Sequence, residues 1–137
     1  MKIHIIRQDG VVIIENLVAL LIFSMGILGI VGLLATSVKN TTDAKYRNDA
    51  SLLANRIISQ MWLDNKSNAA LKTNYASPSG ASYIAWKDSV ADSLPDVSAN
   101  PPTITIDTNN VVTVTIFWKM PSDPDKHRYV VTTQING

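Results

Sequence analysis

Glu15 is the only glutamate in the 137 residues, and it stands near the start of the most apolar stretch of the chain. Between Val11 and Ala35 the only clearly polar residues are Glu15, Asn16 and Ser24. A carboxylate beside hydrocarbon is costly unless paired, so such a residue is a functional candidate by default. The plainer alternative is that Glu15 snorkels to the headgroups, being only a turn or so from the membrane edge. The residues before it support a sharper reading. Gly10 closes a short leader that carries Lys2, His4 and Arg7, and stands directly before Val11-Val12-Ile13-Ile14-Glu15. Cleavage after Gly10 would expose an α-amino group at Val11, with an ordinary pKa of about 8. That amine would lie one helical turn before Glu15 and could neutralise it, in the same chain or a neighbouring one.

Other reactive constellations are sparse. There is no cysteine, which removes a disulfide scaffold, a thiolate zinc site and a thiol nucleophile together. His4 and His127 are the only histidines, and His4 falls in the leader, so a His-based triad or metal site has little to draw on. Asp123 and Asp125 could be read as calcium ligands. Two carboxylates within Pro121-Ser122-Asp123-Pro124-Asp125 are too few without further oxygens, and Pro-Asp is ordinary turn chemistry. No Gly-rich phosphate loop follows a strand pattern. The expectation is a non-enzyme without metal or cofactor.

The net charge of +1 and a pI near 8.0 argue against direct nucleic-acid binding, because the Lys and Arg residues are scattered singly. Charged residues make up 17% and hydrophobic residues 46%, with a mean hydropathy of +0.10. These values exclude a disordered or collagen-like chain. A single long apolar run also excludes a multi-span membrane protein.

That run must position Glu15. Leu17 to Ala35 is 19 residues broken only by Ser24. As a helix it spans roughly 28 Å, close to the hydrocarbon core of a bilayer at about 30 Å. The basic residues before it keep the N-terminus in the cytoplasm and send the remainder across. An ordinary signal peptide is the alternative, with Ala35-Thr36-Ser37 as its cleavage site and a mature start at about Val38. The length of the apolar stretch and the ionisable residue at its entrance count against it.

Beyond Ala35 the pattern becomes amphipathic. Ala50, Leu53, Ala54, Ile57, Ile58 and Met61 share one helix face, with Asn55, Arg56 and Gln60 away from it. No Pro or Gly lies between Thr36 and Asp64, so one helix is predicted over 11–64, with Met61 and Trp62 as packing residues. Asn65 to Asn74 reads as a polar, turn-rich connection, and Ser77 to Gly80 as a loop. Tyr83, Trp86, Val90 and Leu94 then recur at helical spacing up to Pro95, which predicts a second, short helix. The tail switches to period two. Thr103–Ile106, Val112–Trp118 and His127–Ile135 are predicted as three antiparallel strands, the first two joined by Asp107-Thr108-Asn109-Asn110. Their apolar face should cover the amphipathic half of the long helix.

The leader ending in Gly10, the apolar start, Glu15 at the fifth position after it and the unbroken apolar helix resemble the class III signal of type IV prepilins. Val11 and Val12 stand where that family usually has Phe and Thr, and Ile13-Ile14-Glu15 where it usually has Leu-Ile-Glu. The whole chain resembles the type IV pilin fold, and within it the PilV-type minor pilins. The matching pieces are Leu17-Val18-Ala19-Leu20-Leu21 with Gly26 and Gly29, Leu53-Ala54 with Met61, Trp86 to Pro95, and Val112 to Trp118. The chain lacks the C-terminal disulfide loop of major pilins, and Gly32 stands where those commonly have a helix-kinking proline.

The resemblance implies an α+β fold in four parts: a leader (1–10), a transmembrane helix half (11–38), an amphipathic half (39–64) and a globular head (65–137). It implies prepilin peptidase cleavage between Gly10 and Val11, N-methylation of Val11, and Glu15 as the assembly residue. Gly26, Gly29 and Gly32 would serve helix packing, since small residues let helices approach closely in lipid. The implied partners are other minor pilins, the major pilin, the inner-membrane assembly platform and the prepilin peptidase. The implied location is the bacterial inner membrane before assembly, with a periplasmic head, and the surface pilus afterwards. A role at or near the pilus tip in priming assembly follows, serving twitching, adhesion or DNA uptake. A minor pseudopilin of type II secretion shares the same signature and is the nearest alternative.

Overall fold

A computed structural model describes residues 9–121 and 123–136. In chain order it contains α1 (Asp9–Leu63), α2 (Asn68–Tyr75), α3 (Ala81–Ser93), β1 (Thr103–Ile106), β2 (Val111–Trp118) and β3 (His127–Gln134). The chain divides into two units, one ending at Thr42 and one beginning at Asp43, and α1 contributes to both.

The described residues of the first unit are helix alone. The helix begins at Asp9, two residues before the start expected for it, and continues unbroken through Gly26, Gly29 and Gly32. The early start is cheap, because the first N–H groups of a helix need no partner within it. Every residue from Gly10 to Thr41 is exposed. The hydroxyls of Ser24, Thr36, Thr41 and Thr42 turn inward onto their own helix. Ser24 Oγ donates to the Leu20 carbonyl at 2.7 Å, and Thr36 Oγ1 to that of Gly32 at 3.2 Å. Such back-bonding satisfies the hydroxyl within the helix itself, so Ser24 interrupts the apolar run in composition more than in polarity. This helix is long and apolar enough to cross a membrane as an anchor or a signal sequence.

The second unit holds the core. Ala50, Ala54, Ile57 and Met61 on α1 are fully buried, while Asn55, Arg56 and Gln60 are exposed, as the 3.6-residue period requires. Trp62 departs from the expected packing: it is 40% exposed, with Lys66 Nζ over its ring at 5.4 Å from the centroid. One residue beyond Met61, it is turned about 100° away from the buried stripe.

The segment expected to be turns contains α2. Ser67 caps it, its side chain accepting from the Ala70 N–H at 3.4 Å, and Leu71 and Tyr75 fall one turn apart on the buried face. α3 follows as expected, burying Tyr83, Trp86 and Val90. Pro95 ends it by disfavouring helical geometry at Leu94, which is extended at φ −123° and ψ 141°. Between the two helices Gly80 is buried, and a Cβ there would lie 2.5 Å from the Asn74 carbonyl oxygen. Only glycine fits so close an approach.

The three strands form an antiparallel meander in the order β1-β2-β3. Ile104 pairs with Val114, and Val114 with Val131. β2 alternates strictly, with Val112, Val114, Ile116 and Trp118 buried in the same core as the α1 stripe. The β1–β2 turn is built by Asp107, whose Oδ1 accepts from the N–H groups of Asn109 (2.7 Å) and Val111 (2.8 Å). Asn110 takes a left-handed φ of 57° there, a conformation its short polar side chain tolerates. That side chain donates to the Lys66 carbonyl at 3.0 Å and accepts from Asn68 at 2.7 Å, tying the turn to the start of α2.

Candidate functional site

The residues singled out by sequence chemistry lie on the exposed helix of the first unit. Gly10 and Val11 are helical, Val11 is 61% exposed, and Glu15 is exposed one turn further on. Residues four apart on a helix have neighbouring side chains, so an amine generated at Val11 would fall within reach of Glu15. The Gly10–Val11 bond lies in the first turn of α1, where helices fray most readily. Gly26, Gly29 and Gly32 have nothing within 4 Å of the position a Cβ would take. They therefore make no close approach inside this chain, and any packing they serve is with another molecule. Of the leader, residues 1–8, His4 among them, lie outside the described residues.

The second unit brings together a cluster that the spacing of its residues did not announce. His127 stacks on Trp118, with ring centroids 5.7 Å apart and planes at 16°. Its Nδ1 faces Asp43 Oδ1 at 3.7 Å, and its Nε2 faces Asp123 Oδ2 at 3.5 Å. Asp123 Oδ1 also accepts from the Asp125 N–H at 3.1 Å, which is the turn chemistry its sequence suggested. The two acids address opposite edges of one imidazole, so they and the ring do not converge on one cation. Among the described residues no group of three His, Cys, Asp or Glu side chains is placed to hold a metal ion. The separation of Asp123 and His127 by four residues was visible in the sequence. Asp43 arrives only through the packing of α1 against β3.

A shallow cleft of about 420 Å³ lies between the end of α1 and α3, lined by Arg56, Gln60, Leu63, Asp64, Tyr75 and Trp86 among others. Within it Tyr75 donates its hydroxyl to Asp64 Oδ2 at 3.0 Å. The Asp64 carboxyl is held below its usual range, first by the Asn65 N–H and then by the Tyr75 hydroxyl. Burial, and then the Asp64 carboxylate, push the Tyr75 phenol up. This pair joins α1 to α2. The indole N–H of Trp86 is likewise committed, donating to the Leu53 carbonyl at 2.9 Å.

In the head, Asp64, Tyr75 and Trp86 thus use their polar groups to hold elements together, while the first unit leaves a long apolar helix uncovered. Compared with protein-family models, curated proteins and solved structures, the chain matches none.

Proposed function

We propose that this chain is a minor subunit of a type IV pilus, held in the inner membrane by the first half of α1 and incorporated at or near the pilus tip to prime assembly. One observation carries the reading. Gly10, Val11 and Glu15 stand at the head of an uncovered apolar helix that continues without a break into the helix half on which a small α+β head is built. Prepilin peptidase would cut between Gly10 and Val11, and Val11 would be N-methylated. The leader's basic residues would remain cytoplasmic and the head would be displayed in the periplasm. Neighbouring subunits would meet the exposed glycine positions Gly26, Gly29 and Gly32, where helices can approach closely.

Glu15 supplies the docking step. In the bilayer its carboxylate stays near hydrocarbon at a cost that pairing relieves. On docking, the Val11 amine of one chain meets the Glu15 of another where water is excluded, and the Coulomb attraction grows as the dielectric falls. Part of the desolvation has already occurred in the bilayer, which lowers the usual penalty of a buried pair.

The test is immunoblotting of sheared pilus fractions against membrane fractions. Glu15→Val should be processed and inserted yet depleted from pili, with Glu15→Asp between it and wild type. Wild-type amounts of the Val variant in pili would defeat the mechanism. Normal assembly of Glu15→Gln would show that hydrogen bonding suffices without charge.

A further inference from the structure

The two edges of the sheet are treated differently. On the β1 side, Ile104 turns both backbone groups away from β2. Its N–H donates to Ser77 Oγ at 3.2 Å, and its carbonyl accepts from the Ser77 N–H at 3.1 Å. That edge is closed at its centre. Ile104 faces Val114, so Val114 must direct its own backbone groups to the other side, where it pairs with Val131. The register of β2 and β3 runs without a bulge from Val111↔Gln134 to Trp118↔His127. Alternation then turns the N–H and C=O groups of Tyr129, Val131 and Thr133 toward β2. Those of Arg128, Val130, Thr132 and Gln134 point to the open side of β3, where no described residue bonds to them.

Exposed edges are normally blunted by shortness, proline, a bulge or charged side chains, and of these β3 carries only the charge of Arg128. β3 has no proline and no bulge, and its exposed Val130 sits in the middle of the open row. Tyr129 and Val131, on the core face, are only partly buried although they pack against the core. A further strand beside β3 would finish covering them.

We propose that the open edge of β3 takes up an extended segment of a different polypeptide as a fourth, antiparallel strand. The charge on the edge specifies its chemistry. Within His127–Gln134 there is Arg128 and no acid. Of the acids nearby, Asp43 and Asp123 face the His127 ring at 3.7 and 3.5 Å, and Asp125 lies two residues before the strand, next to Lys126, which sits over the Phe117 ring at 5.6 Å. The incoming segment carries an acidic residue opposite Arg128, β-branched residues opposite Val130 and Thr132, and apolar residues alternating onto the Tyr129 and Val131 side. A second copy of β3 would set Arg128 opposite uncharged Thr132 or Gln134, and so lacks the matching acid. Main-chain hydrogen bonds give such strand addition its affinity, and the alternate side chains its selectivity. The proposal does not depend on the pilus reading.

The test uses the full chain in detergent, labelled for amide hydrogen exchange. The probe is a capped peptide of alternating Thr and Val with two Glu residues at its C-terminal end. At about 1 mM peptide, exchange of the Arg128, Val130, Thr132 and Gln134 amides should slow by roughly tenfold or more, with the Tyr129 and Val131 amides unchanged. The same peptide N-methylated on the amides that face β3 should give no protection. Val130→Pro removes one outward N–H and leaves the β2 ladder intact, because that position donates nothing to β2. It should abolish protection while the Val131 amide stays slow. Equal protection by the N-methylated peptide, or none by either, would overturn the proposal. Protection of the four amides without peptide, together with dimers in sedimentation, would also overturn it by making a second copy the occupant.

Discussion

Ile57 and Leu28 lie on the same helix and differ little in size, yet Ile57 is fully buried and Leu28 is 70% exposed. The half of α1 that carries Ile57 shows the amphipathic period, apolar on the core side and polar elsewhere. The half that carries Leu28 is apolar all round. Helical propensity does not distinguish them, since both halves form one uninterrupted element. The difference lies in the surroundings each half is composed for: a protein core on one side only, or an apolar environment on every side. One element therefore serves as a structural member of the head and as an uncovered apolar surface. A helix that is hydrophobic all round belongs inside a large protein or a membrane, and none of the described residues buries it.

The largest expected effect comes from truncating each side chain in turn. Ile57→Ala should destabilise the head by about 2–5 kcal/mol, through lost burial and the cavity left behind. Leu28→Ala should leave head unfolding unchanged. Urea unfolding of the full chain in detergent, followed by tryptophan fluorescence from Trp86 and Trp118, reads both. An equal loss from the two variants would break the comparison.

Glycines sharpen it. A Cβ at Gly80 would lie 2.5 Å from the Asn74 carbonyl oxygen, while one at Gly29 would meet nothing within 4 Å. Gly80→Ala should therefore cost roughly 1–3 kcal/mol of overpacking in the same unfolding assay. Gly29→Ala should not lower head stability at all, since Ala is the better helix former by up to about 1 kcal/mol. Any defect it causes should appear only in assembly with other chains.

The smallest effect is a pH dependence confined to the head. Asp64 is depressed below 3.8, so the stability it lends is present above that value and is lost as pH falls through its lower folded value. Tyr75 is raised above 10.0, so stability is intact below that value and declines as pH rises through its higher folded value. Tyr75→Phe should reduce the alkaline decline to the part that Tyr83 supplies, whose phenol burial also pushes up, and weaken the acid one, while changing stability at neutral pH less than Gly80→Ala does. Unfolding midpoints measured across the pH range check this. An alkaline decline unchanged in the Phe variant would show that Tyr75 is not its source.

The sequence carried most of the architecture because its signals are local. The buried stripe from Ala50 to Met61, the stop at Pro95 and the alternation through β2 each depend on spacing within one element. α2 was hidden for a physical reason. Asn68, Lys72, Thr73 and Asn74 outweigh Leu71 and Tyr75 in composition, and the helix is held by the Ser67 cap and by burial of those two residues. Trp62 was misplaced because an aromatic beside a buried residue looks like core until the helical angle is followed. The meeting of Asp43 with His127 joins residues far apart in the chain, and no periodicity encodes it. The chemistry assigned to Gly10, Val11 and Glu15 concerns a second molecule, whether peptidase or neighbouring subunit, so a single chain positions these residues without exercising them.

The central claim is that the uncovered half of α1 is a retained anchor whose first residue is Val11, matched to Glu15 one turn later. N-terminal sequencing of the protein extracted from membranes tests it most directly. The expected result is a start at Val11, with its amine methylated. A start at about Val38 would mean that the apolar helix is a signal peptide removed from a secreted head, and would contradict the account.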